Sequence, residues 1–212
     1  MNNSILSYPV RGPYGNSKYR GNCSGYLIRD ILDFYQPINF LECFAGSGTG
    51  FDVARELGYT NSIHLDLNDH FGNFNLLKDE LPKGADLVFS HPPYWDIIQY
   101  SGKNHVWGDK PHKDDLSHIH DYNEFIQKLN VINKRIFESI IPGGRHAILL
   151  GDVRKKGKYY SIIKDITWYG ELEAHLIKVQ HNTRSKNKKY NSYNFIPIAH
   201  EHLLIFKKPQ IR

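Results

Sequence analysis

His91-Pro92-Pro93-Tyr94-Trp95 puts an imidazole, two prolines and two aromatic rings into five consecutive positions. Two prolines in succession fix the backbone and leave carbonyls without adjacent N–H groups. The Tyr94 ring can stack on a planar heterocycle, and the Pro92 carbonyl can accept a hydrogen from an exocyclic amine. A nitrogen of neutral His91 can accept a second hydrogen, and two such acceptors orient the amine lone pair. A proline-braced turn whose aromatics fill core space is the competing reading.

The second chemistry-bearing segment is Phe44-Ala45-Gly46-Ser47-Gly48-Thr49-Gly50. Its glycines let bare backbone approach a ligand, and Glu42 just ahead of it can set a carboxylate against a positive amine. No lysine follows the glycines, so the side chain that a P-loop extends to the β and γ phosphates is missing. The third glycine also comes one place early for the dinucleotide pattern Gly-x-Gly-x-x-Gly. Asp66 follows about twenty residues on, where nucleotide-binding α/β domains place a carboxylate on ribose hydroxyls. A ribose-bearing cofactor accounts for both features, and a tight turn without a ligand is the plainer alternative.

Each segment needs a strand ahead of it. Phe40–Cys43 and Ala85–Phe89 read as buried strands, so in a parallel sheet both loops open on one edge. A helix over about 50–57 and a strand at Ser62–Leu65 follow the first loop, an alternation that parallel sheets require. Residues 1–22 form a basic arm with Arg11, Lys18 and Arg20, leading into an apolar helical face from Tyr26 to Tyr35 that Pro37 closes. A helix over about 122–139, a strand at 146–150 and a last strand at 202–206 complete the pattern. Two polar tracts, 96–121 and 180–194, are longer than ordinary connections and read as substrate-contacting loops or insertions.

With 212 residues, the chain suits one α/β domain over 1–212 and leaves no room for a large separate recognition domain. Its net charge of +5 favours a polyanionic partner. Two cysteines, Cys23 and Cys43, make no disulfide framework and no ligand cluster, and no segment reads as a signal peptide. No apolar stretch approaches the roughly 20 residues that cross a bilayer. A cytoplasmic protein with no membrane partner is therefore expected.

Across most of residues 11–208 the chain resembles the S-adenosylmethionine-dependent DNA amino-methyltransferases. These carry a Phe-x-Gly-x-Gly loop and an Asp/Asn/Ser-Pro-Pro-Tyr loop, and they methylate adenine N6 or cytosine N4. The resemblance implies a Rossmann-like α/β methyltransferase domain, with a mostly parallel seven-stranded sheet, helices on both faces and an antiparallel final strand. It implies S-adenosyl-L-methionine as cofactor, with Phe44, Ala45, Gly46 and Gly48 around the methionine part and Glu42 beneath. Asp66 would then hold the ribose, Asp79 would approach the adenine ring, and the segment 18–25, with Asn22, would close over the methionine carboxylate. His91, Pro92, Pro93, Tyr94 and Trp95 would form the catalytic loop, acting by direct transfer on a base flipped out of double-stranded DNA.

One departure stands out. His91 occupies the place of the usual Asp, Asn or Ser, so imidazole must supply the second acceptor or another group must. Trp95 is frequent in cytosine N4 enzymes, while adenine N6 enzymes are the larger class, and adenine is placed slightly ahead. Methylation of RNA or of a protein amide, and a non-catalytic nucleic-acid-binding subunit, are the alternatives. Lys103 in the first polar tract and Arg184, Lys186, Lys188 and Lys189 in the second are the expected nucleic-acid contacts. Target recognition would fall to a compact element, a separate specificity subunit or a second copy of the chain. His105, His112, His118 and His120 lack the spacing of a compact ligand framework, and no metal is expected.

Overall fold

The computed structural model describes residues 1, 3–181 and 195–210. In chain order the elements are β1 (Ile5–Ser7), α1 (Gly25–Tyr35), β2 (Phe40–Cys43), α2 (Thr49–Glu56), β3 (Ile63–Leu65) and β4 (Ala85–Ser90). They continue with α3 (Tyr122–Ser139), β5 (Ile140–Leu150), β6 (Val153–Lys155), β7 (Lys158–Tyr160), α4 (Ile162–Asp165), β8 (Glu171–Val179) and β9 (His200–Lys207). Seven strands form one sheet in the order β1-β8-β9-β5-β4-β2-β3, and β6 and β7 form a separate hairpin. β9 runs antiparallel to both of its neighbours, β5 and β8, and the other pairings in the sheet are parallel.

Strand alternation assigns the two faces of the sheet. Neighbours such as Phe40 and Leu41, Leu87 and Val88, or Leu203 and Leu204 enter opposite core clusters, as a period of two requires. On one face, Leu27, Ile28, Ile31 and Leu32 of α1 join Val53 and Ala54 of α2. On the other face, Phe125, Leu129, Ile132 and Ile136 of α3 pack with Ile162 of α4. Both faces of the central strands are thereby covered, which is why they read as near-continuous apolar runs.

Several boundaries depart from the sequence reading for identifiable reasons. β5 begins at Ile140, ahead of the expected 146, because Pro142-Gly143-Gly144 is carried inside the strand at a register shift. β1, β6, β7 and β8 were not anticipated. β1 is only three residues long and adds to the sheet edge beside β8. Ser24 stands at the N-cap of α1 but makes no cap bond, its hydroxyl turning to the Val10 and Arg11 carbonyls at 3.3 Å each. Asp121 does cap α3, accepting from the Glu124 N–H at 2.8 Å.

Three parallel strands place the loops of interest. Cys43 of β2 is in register with Leu65 of β3 and with Ser90 of β4, so the segments after all three leave from one level of one sheet edge. Open α/β sheets bind ligands at this edge.

Candidate functional site

A cavity opens at that edge, the edge at which open α/β sheets bind small molecules. Glu42, Phe44, Ala45 and Gly46 line it from the β2 side, and Asp66 and Leu67 from β3. His91 and Pro93 line it from β4, and Tyr19, Gly21, Asn22 and Cys23 form part of its wall. Phe74–Leu77, Tyr100, Trp107 and Asp114–Leu116 also belong to the lining.

The glycine loop is held from below by carboxylates. Asp66 Oδ2 accepts the Gly46 N–H at 2.7 Å, while Oδ1 accepts the backbone and side-chain N–H groups of Asn68 at 2.9 Å each. Asn68 also donates to the Gly46 carbonyl at 3.0 Å. Burial pushes the Asp66 carboxyl up to about 6, against the pull of its bonds to Asn68 and Gly46. Gly46 has φ of +55°, and a Cβ there would meet the Tyr19 ring at 3.4 Å.

Glu42 faces His64 across the β2–β3 register, with 2.6 Å between Oε2 and Nδ1, and the His64 Nε2 lies 2.9 Å from Ser62 Oγ. Burial raises the Glu42 carboxyl above its ordinary value although His64 pulls it down. Gly50 in α2 passes directly over this carboxylate, where a Cβ would come within 2.2 Å of Oε1.

The basic arm closes the cavity. Asn22 accepts from the Ser47 hydroxyl at 2.9 Å and donates to the Asn16 carbonyl at 2.8 Å, while the Gly15 N–H donates to Asp52 at 2.7 Å. The 96–121 tract supplies the opposite wall and is knotted around buried Asp115. Its carboxylate accepts from the N–H and hydroxyl of both Ser101 and Ser117, at 2.7–2.9 Å.

The loop after β4 is fixed by a chain of side chains. His91 Nε2 lies 2.9 Å from the Tyr94 hydroxyl, which donates to Glu201 Oε1 at 2.8 Å. Glu201 Oε2 lies 2.5 Å from Lys178 Nζ. Burial lowers His91 to about 4, so its ring is neutral near pH 7. The Tyr94 ring rests against Gly151, just beyond β5, where a Cβ would lie 2.5 Å from Cε2.

Of the residues singled out in the sequence, the cavity brings together Asn22, Glu42, Phe44, Ala45, Gly46, Asp66, His91 and Pro93. It does not include Gly48, which caps α2 with φ of +83° and faces Phe71. Asp79 is exposed, and its carboxylate turns back to the Asn75 N–H at 2.7 Å. Asn75, four residues earlier, is the cavity residue. Pro92 is buried and is not among the lining residues, and no donor among the described residues is bonded to its carbonyl. Tyr94 also lies off the cavity lining, tied by its hydroxyl.

Trp95, counted in the expected catalytic stretch, does not line the cavity. It is 4% exposed and packs on Tyr160 and Tyr122 with ring centroids at 4.9 and 5.2 Å, beneath the Lys155 ammonium. Its backbone is left-handed, with φ of +56°. Lys103 is exposed and away from the cavity. Arg184, Lys186, Lys188 and Lys189 lie outside the described residues.

Sequence reasoning reached Tyr19, Tyr100 and Asp115 only as members of the segments 18–25 and 96–121, and it missed Asn75, Gly151, Lys178 and Glu201. For Lys178 a signal existed, since it is a charge inside the apolar run Leu176–Val179 and such charges are rarely buried unpaired, whereas Glu201 stands between His200 and His202. The histidines of 96–121 engage local partners: His118 bonds the Ser101 carbonyl and His120 bonds Asp96. Among the described residues no group of three or more His, Cys, Asp or Glu is arranged to hold a metal ion. No helix among them is long and apolar enough to cross a membrane.

No family model matches the sequence, and no curated protein matches it significantly. Solved structures do match. TrmN from Thermus thermophilus superposes with a TM-score of 0.52 at 14% identity, over 89% of this chain and 50% of its own. The N-methyltransferase NodS from Bradyrhizobium japonicum, in complex with S-adenosyl-L-homocysteine, gives 0.51 at 11% identity, over 87% of this chain and 85% of its own. A second Thermus thermophilus protein, provisionally designated a DNA modification methylase, aligns at 20% identity over 82% of this chain and 53% of its own, but its TM-score of 0.39 carries no argument. The chain spans about half the length of the first of these and of the last. The first two likenesses establish the Rossmann-like fold shared by S-adenosylmethionine-dependent methyltransferases.

Proposed function

We propose that this chain is an S-adenosyl-L-methionine-dependent methyltransferase acting on an exocyclic amino group in double-stranded DNA, adenine N6 ahead of cytosine N4. The observation that carries this reading is one cavity lined by both chemistry-bearing loops. The glycine loop, Asp66 and Asn22 line it together with His91 and Pro93 of the loop after β4.

The residues fit the cofactor. Gly46 at positive φ keeps the loop free of side chains where a ligand must approach, and an acidic group follows the adjacent strand. Glu42, Phe44, Ala45, Gly46 and Asn22 would hold the methionine part, and Asp66 would stand by the ribose. When bound, the cofactor supplies an electrophilic methyl group on a sulfonium.

The chain's own residues then prepare the acceptor. An exocyclic amine delocalises its lone pair into the ring, and bonds from its two hydrogens to the Pro92 carbonyl and to His91 turn that lone pair toward the methyl group. Holding the amine in this alignment supplies most of the acceleration. No covalent intermediate on the protein is required. Cys23 and Cys43 are buried, and burial raises both thiols, Cys23 to about 12, which suits packing residues. A duplex base must leave the stack to enter, at a cost of a few kcal/mol. The net charge of +5 and the basic run 184–189 favour a polyanionic acceptor.

The test is transfer of labelled methyl from the cofactor to random-sequence duplex DNA, followed by nucleoside separation. N6-methyladenine is the expected product. N4-methylcytosine reverses the base assignment, and label found in RNA and not in DNA defeats the reading. Neutralising Arg184, Lys186, Lys188 and Lys189 should weaken DNA binding alike for all sequences, flatten its salt dependence and leave cofactor affinity unchanged.

A further inference from the structure

We infer that the chain Lys178–Glu201–Tyr94 fixes His91 as the Nε2–H tautomer, leaving Nδ1 bare as the second acceptor for the substrate, so that the site selects an amino group against a ring carbonyl. This rests on the methyltransferase reading above.

The tautomer follows from counting protons. Lys178 and Glu201 face each other in register on β8 and β9, both more than nine-tenths buried, with 2.5 Å between Nζ and Oε2. Burial alone would raise the Glu201 carboxyl, but the Lys178 ammonium and its other partners hold it below the ordinary value, so it is a carboxylate. A carboxylate only accepts, and a phenol has one proton. Tyr94 therefore donates that proton to Oε1 at 2.8 Å and presents only lone pairs to His91. The contact at 2.9 Å must then be an Nε2–H donating to the Tyr94 oxygen. A neutral imidazole carries one N–H, so Nδ1 has none. His91 lines the cavity, and its Nδ1 makes no hydrogen bond among the described residues.

The consequence concerns substrate choice. In that reading Nδ1 and the Pro92 carbonyl, to which no donor among the described residues is bonded, are the two acceptors offered to the substrate. An –NH2 group satisfies both, whereas a carbonyl oxygen in the same place faces lone pairs on both sides and leaves them unpaired. The opposite tautomer would donate from Nδ1 and welcome the carbonyl. Lys178, Glu201 and Tyr94 are thus positioning residues.

Glu201→Gln tests the chain because it should run it backwards. Lys178, which only donates, draws the amide oxygen to itself and leaves the –NH2 facing Tyr94. Tyr94 then accepts, turns its proton to His91 Nε2, and moves the imidazole proton to Nδ1. Long-range ¹H–¹⁵N spectra of ¹⁵N-histidine protein, with His91 assigned through His91→Gln, read the tautomer directly. The parent should show Nε2–H, and E201Q should show Nδ1–H with unchanged cofactor affinity and a transfer rate lower by on the order of 100-fold or more. Tyr94→Phe should show both tautomers. An Nδ1–H parent overturns the inference, as does an E201Q protein that keeps the parent's tautomer or inverts it without loss of rate. The spectra need no turnover, so failure of the methyltransferase reading appears separately, as a parent of the inferred tautomer that labels no acceptor.

Discussion

Gly151→Ala should disable the acceptor loop from a position that touches no ligand. Gly151 follows β5 with ordinary backbone angles, so alanine introduces no strain of its own. Its Cβ would lie 2.5 Å from Tyr94 Cε2 and 2.7 Å from Cδ2, where ordinary contact begins at 3.4 Å. The ring must therefore retreat by about 1 Å, and a matching retreat of the hydroxyl would stretch its 2.8 Å bond to Glu201 past hydrogen-bonding range. Overpacking of this kind costs about 1–3 kcal/mol of stability. Misplacing a reacting group by 1 Å costs on the order of 100-fold in rate. Urea unfolding reads the first, transfer of labelled methyl reads the second, and calorimetry with the cofactor should show no change, because Gly151 does not line the cavity. Parental stability together with a parental transfer rate would refute the view that Gly151 and Glu201 clamp Tyr94 between them.

Three further outcomes follow from the same geometry. Gly50→Ala should weaken both the fold and cofactor binding, because its Cβ would come within 2.2–2.5 Å of the Glu42 carboxylate atoms. Alanine is better than glycine inside a helix by about 1 kcal/mol, so a stabilised variant in a denaturation series would refute the clash. Trp95→Ala should cost about 3–5 kcal/mol in unfolding free energy, as for a buried aromatic, whereas a catalytic Trp95 would lose rate at constant stability. His146, bonded to Ser90 at 2.7 Å, is lowered by burial to about 3 from 6.5, and His91 to about 4. Between those values the unfolded chain binds more protons, so their contribution is complete above pH 6.5 and is lost as pH falls through 4 and 3. Asp66, raised from 3.8 to about 6, acts oppositely, its contribution present below pH 3.8 and lost as pH rises through 6. His146→Gln should flatten the acid limb of urea midpoints measured across pH.

How far the site could be read from the sequence depended on how local its causes were. β2 and β4 are apolar runs cut short by glycine or proline, and those signals lie within a few residues of the loops they deliver. Asp66 was legible in position but not in role. It sits at the end of β3, and its carboxylate is already engaged by Gly46 and Asn68, so it shapes the loop that would hold the cofactor as well as standing beside it. β8 escaped notice because Glu171, Glu173 and His175 alternate with its apolar residues.

The acceptor end was legible only in part, and the reason is distance along the chain. Tyr94 was expected to offer a free ring to the substrate, a reading that treats the loop as His-Pro-Pro-Tyr-Trp alone. What holds the ring lies 107 residues away at Glu201. Glu201 in turn is ionised because Lys178 stands opposite it in an antiparallel register that no local pattern announces. Substituting histidine for the usual acid, amide or hydroxyl before Pro-Pro-Tyr makes that register matter. Asp presents only lone pairs whichever way it turns, but a neutral imidazole accepts or donates at the substrate side according to which nitrogen is protonated. A loop carrying His91 therefore needs a fixed hydrogen-bond acceptor behind it, and the β8–β9 pair and Tyr94 are placed to provide one.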